Sequence, residues 1–164
     1  MSIVTFTVST SEQMQAFGKK IGTLLTAGDV VVLSGPLGAG KTTFVQGLAT
    51  QIEVQGTVTS PTFVVSRVHK PQGSGLALVH VDAYRLTCQS DLVDLDLDAT
   101  KNAVFVIEWG KEYVSGFSEN WIEIDIDRAQ ELTDESDPAS GIRRISVVAV
   151  GDRWSSLSLS EPGA

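Results

Sequence analysis

The chain has 164 residues, 42% hydrophobic and 20% charged, a composition that fits one globular domain and excludes wholesale disorder. The 12 Lys and Arg residues and the 20 Asp and Glu residues give a net charge of −8. This charge argues against general binding of nucleic acid, because binding to its phosphates needs a basic surface. No apolar run approaches the ~20 residues of a membrane span, no signal peptide is visible and Cys88 is a single cysteine, so we expect a cytoplasmic protein that contacts no membrane.

The apolar pattern predicts strands and helices in alternation. A capping box of Ser9 and Glu12 is expected to start the first helix. In chain order the pattern predicts a strand at 4–8, a helix to 25, a buried strand at 30–33, a helix from Thr42, a hairpin of 63–68 and 76–81, a buried strand at 104–107, and two antiparallel strands at 122–126 and 145–149.

These elements predict one α/β domain over residues 1–153. We expect a three-layer sandwich around a mixed sheet, with a parallel core and an antiparallel extension. The acidic segment between the last two strands is predicted to be a mobile loop, and residues 154–164 a disordered tail.

Residues 35–42, Gly-Pro-Leu-Gly-Ala-Gly-Lys-Thr, match the phosphate-loop pattern G-x-x-x-x-G-K-[ST] completely. A buried strand precedes the motif and an amphipathic helix follows it, which argues against a glycine-rich turn that matches by accident. Gly38, Ala39 and Gly40 would turn their backbone N–H groups toward phosphate, and Thr43 lies in the first turn of the helix. Lys41 can reach the β- and γ-phosphates, while the Thr42 hydroxyl is placed to ligate Mg²⁺.

The nucleotide is expected to be ATP, because the N-K-x-D segment with which guanine-specific relatives read their base does not occur. Ser11 and its neighbours could lie near the base or ribose, although helix capping already explains them. Thr62, in Ser60-Pro61-Thr62, could touch Mg²⁺ or the γ-phosphate as a switch segment does, or belong to an ordinary turn.

Two apolar strands end in a carboxylate, one at Asp82 and the other at Glu108. Ligands bind at the carboxyl ends of parallel strands, so both acids are expected beside the phosphate loop. One would hold Mg²⁺ and the other would orient or deprotonate the attacking water, but spacing alone does not decide which. Close to Asp82, His80 is more typical of a packed core residue than of a catalyst, and Arg85 could offset phosphate charge or pair with an acid.

Four blocks in order resemble one bacterial family across about residues 3–150. The blocks are 33–44 with the phosphate loop, Ser-Pro-Thr-Phe at 60–63, His-Val-Asp-Ala-Tyr-Arg-Leu at 80–86 and Ile-Glu-Trp at 107–109. Together they are similar to the tRNA threonylcarbamoyladenosine biosynthesis ATPase, TsaE. Pro36 departs from the Asp usual in that family, and we expect it to alter the stiffness of the loop without abolishing binding.

The resemblance implies a Mg²⁺-dependent ATP hydrolase that supports N6-threonylcarbamoyladenosine (t6A) modification of tRNA. It implies that Thr42 and Glu108 ligate Mg²⁺ and that Asp82 is needed for hydrolysis. Lys41 is expected to serve catalysis as well as binding. The resemblance also implies action in complex with threonylcarbamoyl-transfer proteins of the TsaB and TsaD type, so that tRNA is contacted indirectly. Hydrolysis by the isolated chain is expected to be slow. The alternatives are a small-molecule kinase on the same fold and a nucleotide-gated binding module.

Overall fold

The computed structural model describes residues 2–36, 38–58, 66–83, 102–112, 114–128 and 141–159. No helix in these ranges is long and apolar enough to cross a membrane. The main elements are β1 (Ser2–Val8), α1 (Ser11–Leu24), β2 (Val30–Ser34), α2 (Lys41–Ile52), β3 (Ser66–His69), β4 (Ala77–Asp82), β5 (Ala103–Glu108), β6 (Trp121–Arg128) and β7 (Arg143–Val150).

The seven strands form one mixed sheet in the order β1-β7-β6-β2-β5-β4-β3. The four central strands β6, β2, β5 and β4 are parallel to one another. At one edge β7 and β1 add antiparallel strands, and at the other β3 pairs antiparallel with β4. The predicted α/β fold, with a parallel core and an antiparallel extension, is therefore confirmed. So is the hairpin of β3 and β4, although residues 63–65 lie outside the described ranges.

The sheet is buried on both faces at its centre. All residues of β4 and β5 are buried, as their continuous apolar runs predict for parallel strands. One face packs against α1 and α2, where Phe17 contacts both Phe6 and Phe44 at ring-centroid distances of 4.8 and 5.3 Å. The other face carries a second apolar cluster, in which Phe117 packs edge-on against Phe105. These two cores hold the carboxyl ends of the central strands in place.

The two helices meet closely at glycines. A Cβ on Gly18 would lie 2.1 Å from the carbonyl oxygen of Phe44, and one on Gly47 would lie 2.1 Å from that of Gln15. Both distances are far below van der Waals contact, so the helix backbones approach each other as only glycine allows. This contact fixes α2, whose first residue is Lys41, against α1.

Two expectations from the sequence differ from the structure. The first helix is capped one residue later than predicted, because the Thr10 side chain accepts from the Gln13 N–H, and the Gln13 side chain in turn accepts from the N–H of Ser9. The predicted tail also starts too early: Trp154 is 5% exposed, and Leu157 and Leu159 pack against the core. The rest of that tail, 160–164, and most of the predicted acidic loop, 129–140, lie outside the described residues.

Candidate functional site

The phosphate-loop motif joins the end of β2 to the start of α2, as its pattern predicts. Gly38 and Gly40 have φ angles of +78° and +105°, which a residue with a Cβ rarely adopts. Gly40 is the N-cap of α2 and no side chain caps it, so the first N–H groups of that helix face the loop. The N–H of Ala39 donates to the Pro36 carbonyl at 3.1 Å, which closes a turn despite the proline. The backbone thus forms a concave surface of N–H donors suited to phosphate.

Lys41 folds back over this loop. Its Nζ donates to the carbonyl of Gly35 and, at 3.2 Å, to that of Pro36. The ammonium also lies 5.0 Å from the ring centroid of Trp109, a cation–π distance. Trp109 has a φ of +62°, a left-handed backbone that is uncommon for a large side chain. The Lys41 amine is therefore held at the mouth of the loop by carbonyls that a phosphate oxygen could replace.

Asp82 and Glu108 end β4 and β5 and are direct partners in the parallel register of these strands. They are 8% and 5% exposed. Burial lowers the pKa of Lys41 from its ordinary value, and the charges of Glu108 and then Asp82 act in the opposite direction. The structure thus brings together the lysine and both carboxylates that the sequence singles out.

His80 is fully buried, and its Nε2 lies 2.9 Å from Oε2 of Glu108. Interpreting His80 as an ordinary packed core residue is therefore incomplete, because its ring bonds to one of the candidate metal ligands. The two residues are 28 positions apart, and only the pairing of β4 with β5 brings them together.

Arg143, at the start of β7, also contacts the phosphate loop. Its Nε donates to the Ala39 carbonyl at 3.1 Å and its Nη2 to that of Gly38 at 3.3 Å. Burial lowers the pKa of Arg143, and the nearby charge of Arg128 lowers it further. No local sequence pattern reveals the role of this residue, because it comes more than 100 positions after the loop that it contacts.

A cavity of about 480 Å³ lies beside the loop. Ser11 and Thr43 both line it, together with Gly38, Ala39, Gly40 and Arg143. Thr42 lies in the first turn of α2 and is partly buried. Thr62 and Arg85, which the sequence also singled out, lie outside the described residues, as does Cys88. The serine predicted near a base or ribose is thus beside the phosphate loop in space.

A magnesium ion fits the donors available here. Thr42 supplies a hydroxyl oxygen, and Asp82 and Glu108 supply two buried carboxylates at adjoining strand ends. Among the residues that the structure describes, no group of three or more His, Cys, Asp or Glu side chains could hold a metal alone. Mg²⁺ bound with a nucleotide typically takes one or two protein ligands and completes its shell with phosphates and water. The donor set matches that mode of binding.

The chain is similar to known proteins of one family. The family "Threonylcarbamoyl adenosine biosynthesis protein TsaE" matches residues 8–136. The chain belongs to the TsaE family. It is 46% identical to the tRNA threonylcarbamoyladenosine biosynthesis protein TsaE of Streptomyces coelicolor, over 90% of this chain and 97% of that protein. The protein of the same name from Mycobacterium bovis is 44% identical, over 76% of this chain and 79% of its own length.

A solved structure is also similar to this chain. The crystal structure of YdiB from Bacillus subtilis superposes with a TM-score of 0.69 at 27% identity, covering 93% of this chain and 89% of that one. The resemblance inferred from the four sequence blocks is therefore confirmed, and the match of fold extends to almost the whole TsaE-family domain described here.

Proposed function

We propose that this protein is a Mg²⁺-dependent ATPase that hydrolyses ATP to ADP and phosphate in support of t6A modification of tRNA. The observation that carries the proposal is the convergence of Lys41, Asp82 and Glu108 beside a complete phosphate loop. Membership of the TsaE family, and the names of relatives that match most of the chain, support the pathway.

The nucleotide would bind with its phosphates against the loop. The N–H groups of Gly38 to Thr43, which include the first turn of α2, would donate hydrogen bonds to the β-phosphate, and Lys41 would exchange its carbonyl partners for phosphate oxygens. The neighbouring cavity is large enough to accept the adenosine part, with Ser11 as a polar contact. This division places the anionic end of ATP where the backbone donors are concentrated.

Hydrolysis requires a positioned water and a proton acceptor. Asp82 would take the proton as the water oxygen bonds to the γ-phosphorus and the bond from that phosphorus to the ADP oxygen breaks. Thr42 and Glu108 would hold Mg²⁺, which supplies charge neutralisation on the phosphate oxygens. Lys41 would stabilise the negative charge that develops on the transferred group, from the position it occupies at the loop.

The protein would act with threonylcarbamoyl-transfer proteins of the TsaB and TsaD type, which would hold the tRNA. The net charge of −8 supports this indirect role, because a phosphate backbone would be repelled by the chain as a whole. We expect slow turnover by the chain alone and a cytoplasmic location, where tRNA is modified.

The decisive experiment measures phosphate release from ATP with and without the two transfer proteins. Their addition should raise turnover, and Lys41→Ala and Asp82→Ala should abolish the rise. Turnover that ignores the partners would contradict the proposed role. Phosphate appearing on an added metabolite would instead indicate a kinase, and ATP-responsive partner binding that persists in Asp82→Ala without turnover would indicate a binding module.

A further inference from the structure

We propose that His80 is a positioning residue, which holds the Glu108 carboxylate in the orientation needed to bind magnesium. This inference rests on the proposed function, because it assigns Glu108 as a ligand of nucleotide-bound Mg²⁺. It adds a residue to the site that acts through Glu108 without touching the nucleotide.

The placement of the two side chains follows from the sheet. In the register of β4 and β5, His80 is opposite Val106 and Asp82 is opposite Glu108. Residues two apart on a strand point to the same face, so His80 and Glu108 are diagonal neighbours on the face that α2 covers. His80 comes two residues before Asp82, the last residue of β4, and it is more deeply buried than either acid.

The contact has a defined direction. An ionised carboxylate can only accept, so the His80 Nε2 carries the hydrogen and donates it to Glu108 Oε2 at 2.9 Å. The histidine ring is 0% exposed and Glu108 is 5% exposed, so water does not compete for this bond. Among the described residues the other ring nitrogen, Nδ1, has no hydrogen-bond partner, so the bond to Glu108 is the polar contact that the ring makes there.

The bond from His80 restricts the Glu108 carboxylate at the end of β5, where Mg²⁺ would bind. A glutamate has three side-chain torsions, and without a partner its carboxylate would sample several orientations at the strand end. Lys41, whose charge interacts with Glu108, is tied to the loop carbonyls. The histidine holds one oxygen from the core side, which favours a single orientation before Mg²⁺ arrives. Removing a hydrogen-bond partner of a metal ligand typically costs about 10–100-fold in metal affinity.

A pair of amide variants tests this without changing the polarity of the site. The Nε2 of glutamine reaches about as far from the backbone as the Nε2 of histidine, whereas the amide of asparagine stops at the position of Nδ1. His80→Gln should therefore keep the bond to Glu108, and His80→Asn should lose it. Circular dichroism and thermal melting compare the folding of the two, and a buried contact with a merely structural role would affect stability alone.

Calorimetry of ADP binding with Mg²⁺ and with EDTA supplies the readout. We expect magnesium to strengthen ADP binding by the wild type and by His80→Gln, and this strengthening to fall about 10–100-fold in His80→Asn while affinity in EDTA is unchanged. In a Glu108→Ala background, His80→Asn should have no further effect on the magnesium dependence.

Equal magnesium dependence in the wild type, His80→Gln and His80→Asn would overturn the positioning role, as would an equal loss of affinity in magnesium and in EDTA. Absence of any magnesium-dependent ADP binding by the wild type would instead overturn the proposed function, and the positioning role with it.

Discussion

Asp82 and Glu108 lie directly opposite each other at the ends of the parallel strands β4 and β5. The side chain of Glu108 accepts a buried hydrogen bond from His80. The negative charges of both acids act to raise the pKa of Lys41, that of Glu108 more strongly than that of Asp82. A carboxylate that accepts a buried hydrogen bond suits a metal ligand, so we propose that role for Glu108 and the role of proton acceptor for Asp82.

Conservative amide variants should separate these roles. Glu108→Gln should weaken the magnesium-dependent part of ADP affinity about 10–100-fold, since an amide is a poorer Mg²⁺ ligand than a carboxylate. Asp82→Asn should leave ADP affinity near the wild-type value but lower partner-stimulated turnover about 10²–10⁴-fold. Calorimetry and phosphate release measure the two effects. The opposite pattern, with affinity lost in Asp82→Asn and turnover alone lost in Glu108→Gln, would exchange the assignments.

Arg143 should matter for nucleotide binding although it comes from the far end of the chain. Its guanidinium bonds the carbonyls of Gly38 and Ala39, so it orders the loop before phosphate binds. Hydrogen bonds from a charged group contribute about 1.5–3 kcal/mol, less where solvent reaches them, so Arg143→Ala should weaken ADP binding about tenfold. The exposed neighbour Arg144 provides a matched control. Equal, small effects of Arg143→Ala and Arg144→Ala on calorimetric affinity would show that the loop does not need this contact.

The sequence predicts most of the fold because the relevant signals are local. The alternation of β6 and β7 and the continuous apolar runs of β4 and β5 each report the burial of their own side chains. The phosphate loop is likewise a local signal, since its glycines, lysine and threonine are contiguous and lie between a strand and a helix. The same patterns also locate the two strand-end acids.

Contacts between distant segments could not be predicted in the same way. Arg143 and the bond from His80 to Glu108 depend on which strands become neighbours in the sheet, and a single sequence carries no direct record of that order. The ordered position of Trp154 depends on such a contact as well, because the adjacent Arg153 is hydrogen-bonded to Asp29, the residue before β2. The Ser-rich composition after Trp154 predicts a loose tail, and tertiary packing overrides it.

The pairing of Arg153 with Asp29 should contribute measurably to stability. Nε and Nη2 of the arginine donate to the two carboxylate oxygens at 3.1 and 2.9 Å, and the guanidinium lies 4.3 Å from the Trp154 ring centroid. Asp29 is buried while the arginine is 39% exposed, so we expect Arg153→Ala to cost about 1–2 kcal/mol after allowing for solvent, or about 2–8 °C in Tm. Arg153→Lys, which keeps the charge without the two-pronged geometry, should be intermediate. A Tm unchanged in Arg153→Ala would show that the pairing with Asp29 does not contribute to stability.

The close approach of the two helices predicts an unusual effect of alanine. In an exposed helix, replacing glycine by alanine stabilises by about 0.5–1 kcal/mol. Gly47→Ala should instead destabilise by about 1–3 kcal/mol or more, because its Cβ would collide with the Gln15 carbonyl, which is backbone and cannot move aside freely. Since α2 starts at Lys41, the displaced helix should also weaken ADP binding. Unfolding by denaturant measures the free energy of unfolding of each variant. Gly73→Ala is the control, because a Cβ at that position meets nothing within 4 Å. A Gly47→Ala variant that is more stable than the wild type would contradict the close packing of the two helices.

His69 should make the folded state sensitive to mild acid. Burial lowers the pKa of this histidine below its ordinary value of 6.5, outweighing the hydrogen bond to the Gln55 backbone, and the charges of His80 and Arg67 lower it further. Below about pH 6.5 the unfolded chain takes up this proton before the folded one does, so the contribution of His69 to stability is complete above that pH and is lost as the pH falls toward the lowered pKa. Each unit of pKa difference corresponds to about 1.4 kcal/mol.

His69→Asn removes the titrating group and keeps a polar side chain at this position. Thermal melts from about pH 7.5 to about pH 5.5 should show a steeper fall in Tm for the wild type than for His69→Asn, because only the wild type takes up this proton. The variant can be less stable at every pH through lost packing, so the slope of Tm against pH is the quantity to compare. Parallel slopes would mean that the His69 ring takes up its proton equally well in the folded and unfolded chain, which its burial argues against.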